Sequence, residues 1–494
     1  MNHLLARRSG RRARTLVVVA ALALPLVGCG VEAGDTAPPD TGRSGDDHIV
    51  GSDVGATTTT EAEATTTLPE VDVDIAGDDG SELNRVIANA IVDLEDFWDE
   101  QYPDVYGVPY EPLSGGLFAI DSSTDPRDVP CAGNDIRELL DNAFYCPTED
   151  AVVWDQEGFM PDVAERYGDF TAAVVIAHEW GHVVQGRSQF DGPSVTVELQ
   201  ADCFAGAWTA HVMDDDPRFD IGTDDLDQAL AGILSLRDAP GGTADDPLAH
   251  GSGFDRVGAF QDGFEQGASR CAEFTNGDPA PFQWPFSDEE LITGGDLPLS
   301  TPQADDDILD LTFPTLDAFW TDTFPTLSGG DDWDPLGDPV PFEAGDEPSC
   351  GGEQVTGYVL FVCIPERFVA FDIGETFPDL YDQNGDFGVA TLLATQYGLD
   401  ATEQLGSADS VITSTLQGDC FAGAFAGALL PTADGTSAYD LVLSPGDLDE
   451  GVSALLSFRS DADRERQGPG FDRVKAFRQG VLQGAEACPS IEGS

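Results

Sequence analysis

Basic residues are scarce in this 494-residue chain. It contains 22 lysines and arginines against 92 aspartates and glutamates, for a formal net charge of −70 at pH 7, and Lys475 is its single lysine. A surface this acidic repels nucleic acid and anionic lipid. We therefore exclude nucleic-acid binding and expect solubility in salty surroundings or attraction to cationic substrates.

Long hydrophobic runs are also missing. The run from Leu16 to Val27 follows five arginines but is too short for a typical membrane span. It leads into Leu26-Val27-Gly28-Cys29, which resembles the lipobox of bacterial lipoproteins. The resemblance implies a signal peptide over residues 1–28, acylation of Cys29 and export to the outer face of the cell membrane. Ordinary secretion with an incidental Cys29 is the alternative.

Two stretches lack the hydrophobic periodicity of packed elements. Residues 29–79 are rich in threonine, aspartate and glycine and predict a disordered tether. Residues 277–303 are rich in proline and glycine and predict a linker. The regions that they delimit, 80–276 and 304–494, are each long enough to form a hydrophobic core.

Histidine is rare as well, with six in the chain. Two of them belong to the motif HEWGH at residues 178–182. Residues four apart share one face of a helix, so His178 and His182 can bind one zinc ion while Glu179 points at the open position of the metal. This arrangement is typical of metal-assisted peptide hydrolysis.

A second motif, ELQAD, follows at residues 198–202. We expect Glu198 to open a helix and supply the third protein ligand, and Asp202 to accept the other ring N–H of a ligand histidine. Apolar residues around HEWGH predict a buried helix that is capped at Asp169 or Thr171 and ends at Gly186.

Together these motifs resemble the bacterial neutral zinc metallopeptidase family, in which HExGH precedes ELQADC and a later histidine–glycine pair. The matching residues here are 178–182, 198–203 and 250–257, and the likeness covers approximately residues 85–275. It implies a fold like that of the glutamate zincins, which are mostly endopeptidases. It also assigns oxyanion stabilisation to His250, for which a surface position in a glycine-rich turn is the alternative.

Hydrolysis of a peptide bond is the chemistry expected of this site. Three protein ligands leave one zinc position for a water molecule, and Glu179 acts on that water as general base. We expect a peptide or protein substrate along the edge of a small sheet, formed by residues 116–120 or 151–154, with ordinary core strands as the alternative for both stretches.

An internal repeat becomes visible at an offset of 217 positions. Residues 202–207, DCFAGA, return at 419–424, and residues 253–257, GFDRV, return at 470–474. The offset predicts an alignment without gaps from residue 146 to residue 271. We therefore predict two tandem copies of one domain.

The second copy has lost the expected chemistry. The positions of His178, Glu179, His182, Glu198 and His250 correspond to Thr395, Gln396, Leu399, Thr415 and Gln467. No histidine follows His250, so a histidine-ligated zinc site is impossible there. This degenerate copy can support the active one, contribute substrate surface or bind an envelope protein. Its acidic stretch 382–386 hints at calcium but does not meet the EF-hand spacing, and we expect a turn.

Eight of the nine cysteines divide equally between the two copies. The first copy has Cys131, Cys146, Cys203 and Cys271, and the second has Cys350, Cys363, Cys420 and Cys488. Because the copy without histidine keeps all four, we expect disulfides rather than metal ligands. The simplest pairing joins the first two and the last two of each copy, although the sequence leaves the connectivity open.

The sequence therefore predicts a mainly helical α+β protein with two tandem zincin-like lobes, of which the second lacks the metal site. We interpret it as an exported, membrane-anchored zinc metallopeptidase. The alternative is a catalytically silent, zinc-containing envelope binding protein.

Overall fold

The structure is a computed structural model that describes residues 29–30, 49–53, 68–133, 135–215, 218–238, 249–275, 277–281, 295–299, 307–430, 437–458 and 467–493. In this part the protein is mainly helical with some sheet, as the predicted α+β class requires. The predicted signal peptide lies outside the described residues. Among the helices that are described, none has the length and apolar character needed to cross a membrane.

Within its described residues, the first half combines five short strands with seven helices. The strands are β1 (Cys29–Gly30), β3 (Ile75–Ala76), β4 (Gly116–Ile120), β5 (Asn142–Cys146) and β6 (Ala151–Asp155). The helices are α1 (Glu82–Tyr106), α2 (Phe159–Tyr167), α3 (Asp169–Ser188), α4 (Ser194–Asp215), α5 (Thr223–Ser235), α6 (Gly253–Gln266) and α7 (Ala268–Cys271). Their shared core contains the fully buried indoles of Trp98, Trp180 and Trp208.

The strands form one sheet in the order β1-β5-β6-β4-β3. β5 is antiparallel to both of its neighbours, and β4 is parallel to both of its own. Residues 116–120 and 151–154 are therefore interior strands, and the prediction that one of them forms the sheet edge is wrong. The strand beside Glu179 is β5, since the backbone N–H of Tyr145 donates to that carboxylate.

The second half repeats this order of elements. Its strands are β2 (Ile49–Asp53), β7 (Val340–Phe342), β8 (Ser349–Cys350), β9 (Glu353–Gln354), β10 (Tyr358–Cys363) and β11 (Phe368–Asp372). Its helices are α8 (Ile308–Ser328), α9 (Thr376–Leu405), α10 (Val411–Ala428), α11 (Asp447–Ser457) and α12 (Gly470–Gln483). The main sheet has the order β2-β10-β11-β7, which matches β1-β5-β6-β4.

Three of these strands come from the segment for which the sequence predicts a disordered tether. Cys29, the predicted lipidation residue, lies in β1 and pairs with Ala143 of β5. β2 pairs antiparallel with β10 of the second half, and β3 pairs with β4. The two halves thus each receive a short outer strand from the N-terminal part of the chain.

Helix α3 differs at both ends from the prediction. It starts after Gly168, which occupies the N-cap without a side-chain bond, and it ends where Gln189 adopts a left-handed conformation. It therefore continues past Gly186. A Cβ atom at Gly186 would lie 3.2 Å from the hydroxyl of Tyr145, so this glycine makes room for a packed side chain and does not end the helix. Helix α4 likewise begins at Ser194, one turn before Glu198.

Four disulfides join the eight paired cysteines. They connect Cys131 with Cys146, Cys203 with Cys271, Cys350 with Cys363, and Cys420 with Cys488. The second and fourth have the same sequence separation of 68 residues. Each therefore links the helix after the motif position to the end of its own half.

The two halves cap each other's helices. Asp449 of α11 accepts hydrogen bonds from the backbone N–H groups of Gly253 and Phe254, at 3.1 and 2.7 Å, where α6 begins. Asp227 of α5 accepts the equivalent bonds from residues 470 and 471 at the start of α12, at 2.8 and 2.7 Å. An N-terminal helix turn has N–H groups with no partner inside the helix, and a carboxylate also complements the helix dipole. Each half therefore supplies the carboxylate that accepts the free backbone N–H groups at the start of one helix of the other half.

These caps correct the predicted repeat alignment. Asp227 and Asp449 occupy the same place in the shared pattern DLD at residues 225–227 and 447–449, at an offset of 222 positions. The offset elsewhere is 217, so the alignment between residues 146 and 271 contains compensating gaps around α5. The gap-free prediction is wrong in this region because the loops on either side of α5 differ in length.

We predict that replacing either capping carboxylate destabilises the whole chain. Asp227→Ala and Asp449→Ala each leave two backbone N–H groups at the interface without their acceptor, and should lower the free energy of unfolding by about 1–2 kcal/mol. Denaturant unfolding followed by circular dichroism measures this. Glu165→Ala, at an exposed position on α2, is the control and should change little. Capping variants as stable as the control would contradict the assignment.

Candidate metal centre

The HEWGH motif lies on α3 with both histidines on one face. The ring centroids of His178 and His182 are 4.9 Å apart, and the two residues are 0% and 6% exposed. A Cβ atom at Gly181 would lie 2.7 Å from the Cα of Ala201, so α3 and α4 cross at close range. This crossing brings Glu198 of α4 opposite the two imidazoles.

Three ligand atoms converge at this crossing. The Nε2 atom of His178 lies 3.2 Å from Oε2 of Glu198, and the Nε2 atom of His182 lies 3.6 Å from Oε1. All three ligand atoms lie within 4.8 Å of one another. Burial would raise the pKa of Glu198, but the charges of His182 and His178 outweigh it and lower this pKa to about 2.

The residues fit a zinc ion. Two imidazoles and one carboxylate form a ligand set used by catalytic zinc, with a fourth position left open. Nε2 of His182 and Oε2 of Glu198 are buried and make no hydrogen bond among the described residues. Buried polar atoms without partners are costly, and coordination of a metal would remove that cost.

Each histidine is oriented through its other ring nitrogen. Nδ1 of His178 lies 2.7 Å from Oδ1 of Asp202, and Nδ1 of His182 lies 2.8 Å from Oε1 of Gln185. The amide of Gln185 in turn donates to the backbone carbonyl of Val197 at 2.6 Å. An acceptor at Nδ1 fixes the tautomer whose Nε2 lone pair faces the other ligands.

Asp202 also forms a buried ion pair. Nε and Nη2 of Arg256 donate to its two carboxylate oxygens, both at 2.8 Å. Burial would raise the pKa of Asp202, but the charges of Arg256 and His178 outweigh it and lower this pKa. Asp202 is therefore held ionised between a ligand histidine and a guanidinium.

Glu179 is buried and in contact with the sheet. The backbone N–H of Tyr145 in β5 donates to Oε2 of Glu179 at 3.0 Å. Glu179 directly follows His178 on α3 and is 1% exposed, so this bond fixes the direction of a buried carboxylate next to a ligand residue in the chain.

Asp238 contacts both the backbone and the ring of His250. The backbone N–H of His250 donates to Oδ2 of Asp238 at 2.7 Å, and the Nδ1 of His250 lies 3.1 Å from Oδ1. The side chain of His250 is 19% exposed. The assignment of His250 to the oxyanion stays a prediction.

The corresponding positions of the second half have other contacts. The hydroxyl of Thr395 donates to the carbonyl of Leu392 at 2.7 Å, and Gln396 donates to Thr395 at 3.2 Å. Asp419 and Arg473 nevertheless repeat the buried ion pair, with distances of 2.7 and 2.8 Å. The ion pair therefore persists where the zinc ligands are absent.

Two residues of the site do not follow from the sequence motifs. Gln185 stands three positions after His182, and this spacing on one helix face could have indicated its contact. Asp238 stands 12 positions before His250 in the chain, and no local sequence pattern links the two.

Comparisons with known proteins place the similarity in the first half. Residues 48–274 match the model of a family described as "Putative neutral zinc metallopeptidase". The chain is 28% identical over 223 residues to "Uncharacterized protein YpfJ" of Escherichia coli, covering 40% of this chain and 72% of that protein. It is 31% identical over 163 residues to "Uncharacterized protein Rv2575" of Mycobacterium tuberculosis, covering 27% of this chain and 56% of that protein. The comparison with solved structures found no match.

We predict that Asp202→Asn weakens zinc binding while Asp419→Asn does not. Both substitutions damage a buried pair with arginine, which costs on the order of 3 kcal/mol of stability, but only Asp202 contacts a ligand histidine. The dissociation constant for zinc should rise by roughly 10–100-fold in Asp202→Asn alone. Competition with a chromophoric chelator measures this. Equal zinc affinities in the two variants would show that Asp202 has only a packing role.

Proposed function

We propose that this protein is a zinc-dependent metallopeptidase of the neutral zinc metallopeptidase family, with its active site in the first half. The observation that carries the proposal is the convergence of three ligand atoms within 4.8 Å of one another, two of them on α3, the helix that also carries Glu179. The match of residues 48–274 to the family model supports it independently of the geometry.

His178, His182 and Glu198 would hold the metal. Zinc bound there supplies a Lewis acid that acidifies water and polarises a substrate carbonyl. Glu179 accepts the proton of the attacking water as general base and later donates it to the leaving amine. The N–H of Tyr145 holds one oxygen of Glu179, so that the carboxylate keeps a fixed direction.

His250 would stabilise the developing oxyanion. Asp238 contacts both the backbone N–H and the ring Nδ1 of His250, which orients the imidazole. A preorganised donor of this kind is effective where charge develops in the transition state. His250 is therefore assigned to the oxyanion and not to the metal.

We propose an extended peptide along β5 as the substrate. The N–H of Tyr145 points away from β6, and among the described residues β5 pairs on that same side with β1 only at Asn142 and Ala143. The remaining residues of β5 have no strand partner there in the described part of the chain, and such an open stretch of strand can bind an extended chain through backbone hydrogen bonds. The net charge of −70 favours peptides that carry lysine or arginine.

The second half is proposed as a catalytically inactive copy of the same zincin-like lobe. It repeats the order of elements, the two disulfides and the buried ion pair, but Thr395, Leu399 and Thr415 replace the ligands. Four disulfides support an oxidising, extracytoplasmic location. A lipid anchor at Cys29 and an envelope protein partner of the second half belong to the same proposal.

A zinc-containing envelope binding protein is the second candidate. The ligands are almost fully buried, with exposures of 0% for His178, 6% for His182 and 1% for Glu198, as in sites where zinc serves folding. Removal of a structural zinc would unfold the first half. Removal of a catalytic zinc would leave it folded.

We predict that Glu179→Gln abolishes peptide hydrolysis and retains zinc. Because glutamine keeps the size and the hydrogen bond from Tyr145 but cannot accept the proton, kcat/KM should fall by on the order of 10²–10⁴-fold or more. The zinc-loaded chain from Gly30 onward is incubated with a mixed peptide library, and cleavage is read by mass spectrometry.

Glu165→Gln, an exposed acid on α2, is the matched control and should cleave as the unmodified chain does. Chelation followed by circular dichroism completes the test. Equal cleavage by Glu179→Gln and the control would overturn the proposed base. No cleavage by any form, together with unfolding on chelation, would favour the binding protein.

A further inference from the structure

A group of three carboxylates lies in the second half, away from the zinc site. Asp296 belongs to the segment 295–299 between the two halves, Asp386 to α9 and Glu450 to α11. One oxygen of each lies within 4.8 Å of the others. We call these three residues the carboxylate cluster.

The cluster contains a buried oxygen without a partner. Asp386 is 4% exposed, and its Oδ1 is buried and accepts no hydrogen bond within the described residues. Its Oδ2 accepts from the backbone N–H of Leu297 at 2.8 Å, and Oε2 of Glu450 accepts from that of Phe387 at 3.0 Å. These bonds orient the carboxylates but do not neutralise their charges.

Burial and proximity disfavour the ionised forms of the carboxylates in the cluster. Burial, then the neighbouring carboxylates Asp447, Asp386 and Asp296, raise the pKa of Glu450 to about 9. Burial is also the main cause that raises the pKa of Asp386 to about 6. Asp447 offers no ligand atom, since Ser444 donates to both of its oxygens. No arginine or lysine is among the leading causes of the pKa shifts of Asp386, Asp447 and Glu450.

The first half has the same local geometry without the cluster. Gly168 and Gly385 occupy corresponding positions and both have a positive φ, of 83° and 75°. In each half a side chain lies against this glycine, from α5 in the first half and from α11 in the second. That side chain is the amide of Gln228 in the first half and the carboxylate of Glu450 in the second. Asp169, the counterpart of Asp386, is exposed. The second half therefore has a carboxylate where the first half has an amide, so the shared fold does not require an acidic side chain beside this glycine.

We propose that the carboxylate cluster binds one calcium ion, with Asp296, Asp386 and Glu450 as protein ligands. Ligands that are all oxygen suit hard cations, whereas zinc prefers nitrogen and sulfur. Calcium accepts irregular sets of carboxylates and waters, whereas magnesium demands near-ideal octahedral geometry. The ligands come from three separate segments, so this is not an EF-hand loop. Gly385 has non-helical backbone angles that break α9, in agreement with the turn predicted at residues 382–386.

The ion would fasten the segment between the halves to the second half. Asp296 is exposed and precedes Leu297, whose N–H already binds Asp386. A calcium ion would add a second connection at the same point through the side chain. The position of the inter-half segment thus becomes dependent on extracellular calcium.

The test uses the zinc-loaded chain from Gly30 onward, freed of calcium, in about 0.15 M salt to screen weak surface binding. Calcium is titrated by calorimetry, and thermal unfolding is followed with calcium or magnesium. We expect one calcium ion per chain at this site and a higher unfolding temperature with calcium only. The affinity should fall at least roughly tenfold in Glu450→Gln and Asp386→Asn.

Asp169→Asn is the matched control, because it removes the corresponding acid of the first half, and it should bind calcium as the unmodified chain does. Glu450→Gln introduces the residue that the first half already has, so without calcium this variant should unfold at the same or a higher temperature. Equal calcium binding by Glu450→Gln and the unmodified chain, or no calcium-dependent stabilisation, would overturn the inference. So would a calcium-free Glu450→Gln that unfolds at a lower temperature, because the repulsion would then be absent.

Discussion

The buried pair between Asp202 and Arg256 is the interaction on which the site depends. Both side chains are 0% exposed, so neither charge is tolerable without the other. The pair fixes Asp202 at the point where its other contact is the ring of His178. The second half keeps the equivalent pair, Asp419 with Arg473, although no histidine stands beside it. The pair thus stabilises the packing of both halves. In the first half it also fixes Asp202, which orients the candidate ligand His178.

Much of the site could be predicted from sequence because its ligands follow helical spacing. His178 and His182 share a face of one helix, and Glu198 and Asp202 share a face of the next. The ends of α3 could not be predicted in the same way, because Gly186 serves the packing of Tyr145, a contact from a distant strand. The internal repeat can be recognised from the sequence. The edge strand cannot, because strand order depends on pairing between segments far apart in the chain. Asp238 and the capping carboxylates were missed for the same reason.

The two halves share one architecture but carry different polar side chains at corresponding positions. The first half concentrates nitrogen and oxygen ligands where α3 crosses α4. The second half places threonine and leucine there and gathers carboxylates near Gly385 instead. A closely packed crossing is retained in both, since a Cβ atom at Gly398 would lie 2.6 Å from the carbonyl oxygen of Gly418. The side chains at this helix crossing can therefore differ between the halves, provided that a glycine still lets the two helix backbones approach closely.

The exchanged caps of Asp227 and Asp449 make each half depend on the other. Deletion of the second half would remove the acceptor from the first turn of α6, the helix that carries Arg256. Arg256 holds Asp202 beside His178, so the order of the candidate metal centre in the first half depends on Asp449 in the second. The two halves therefore form one folding unit, and neither is a module that can be removed without cost to the other.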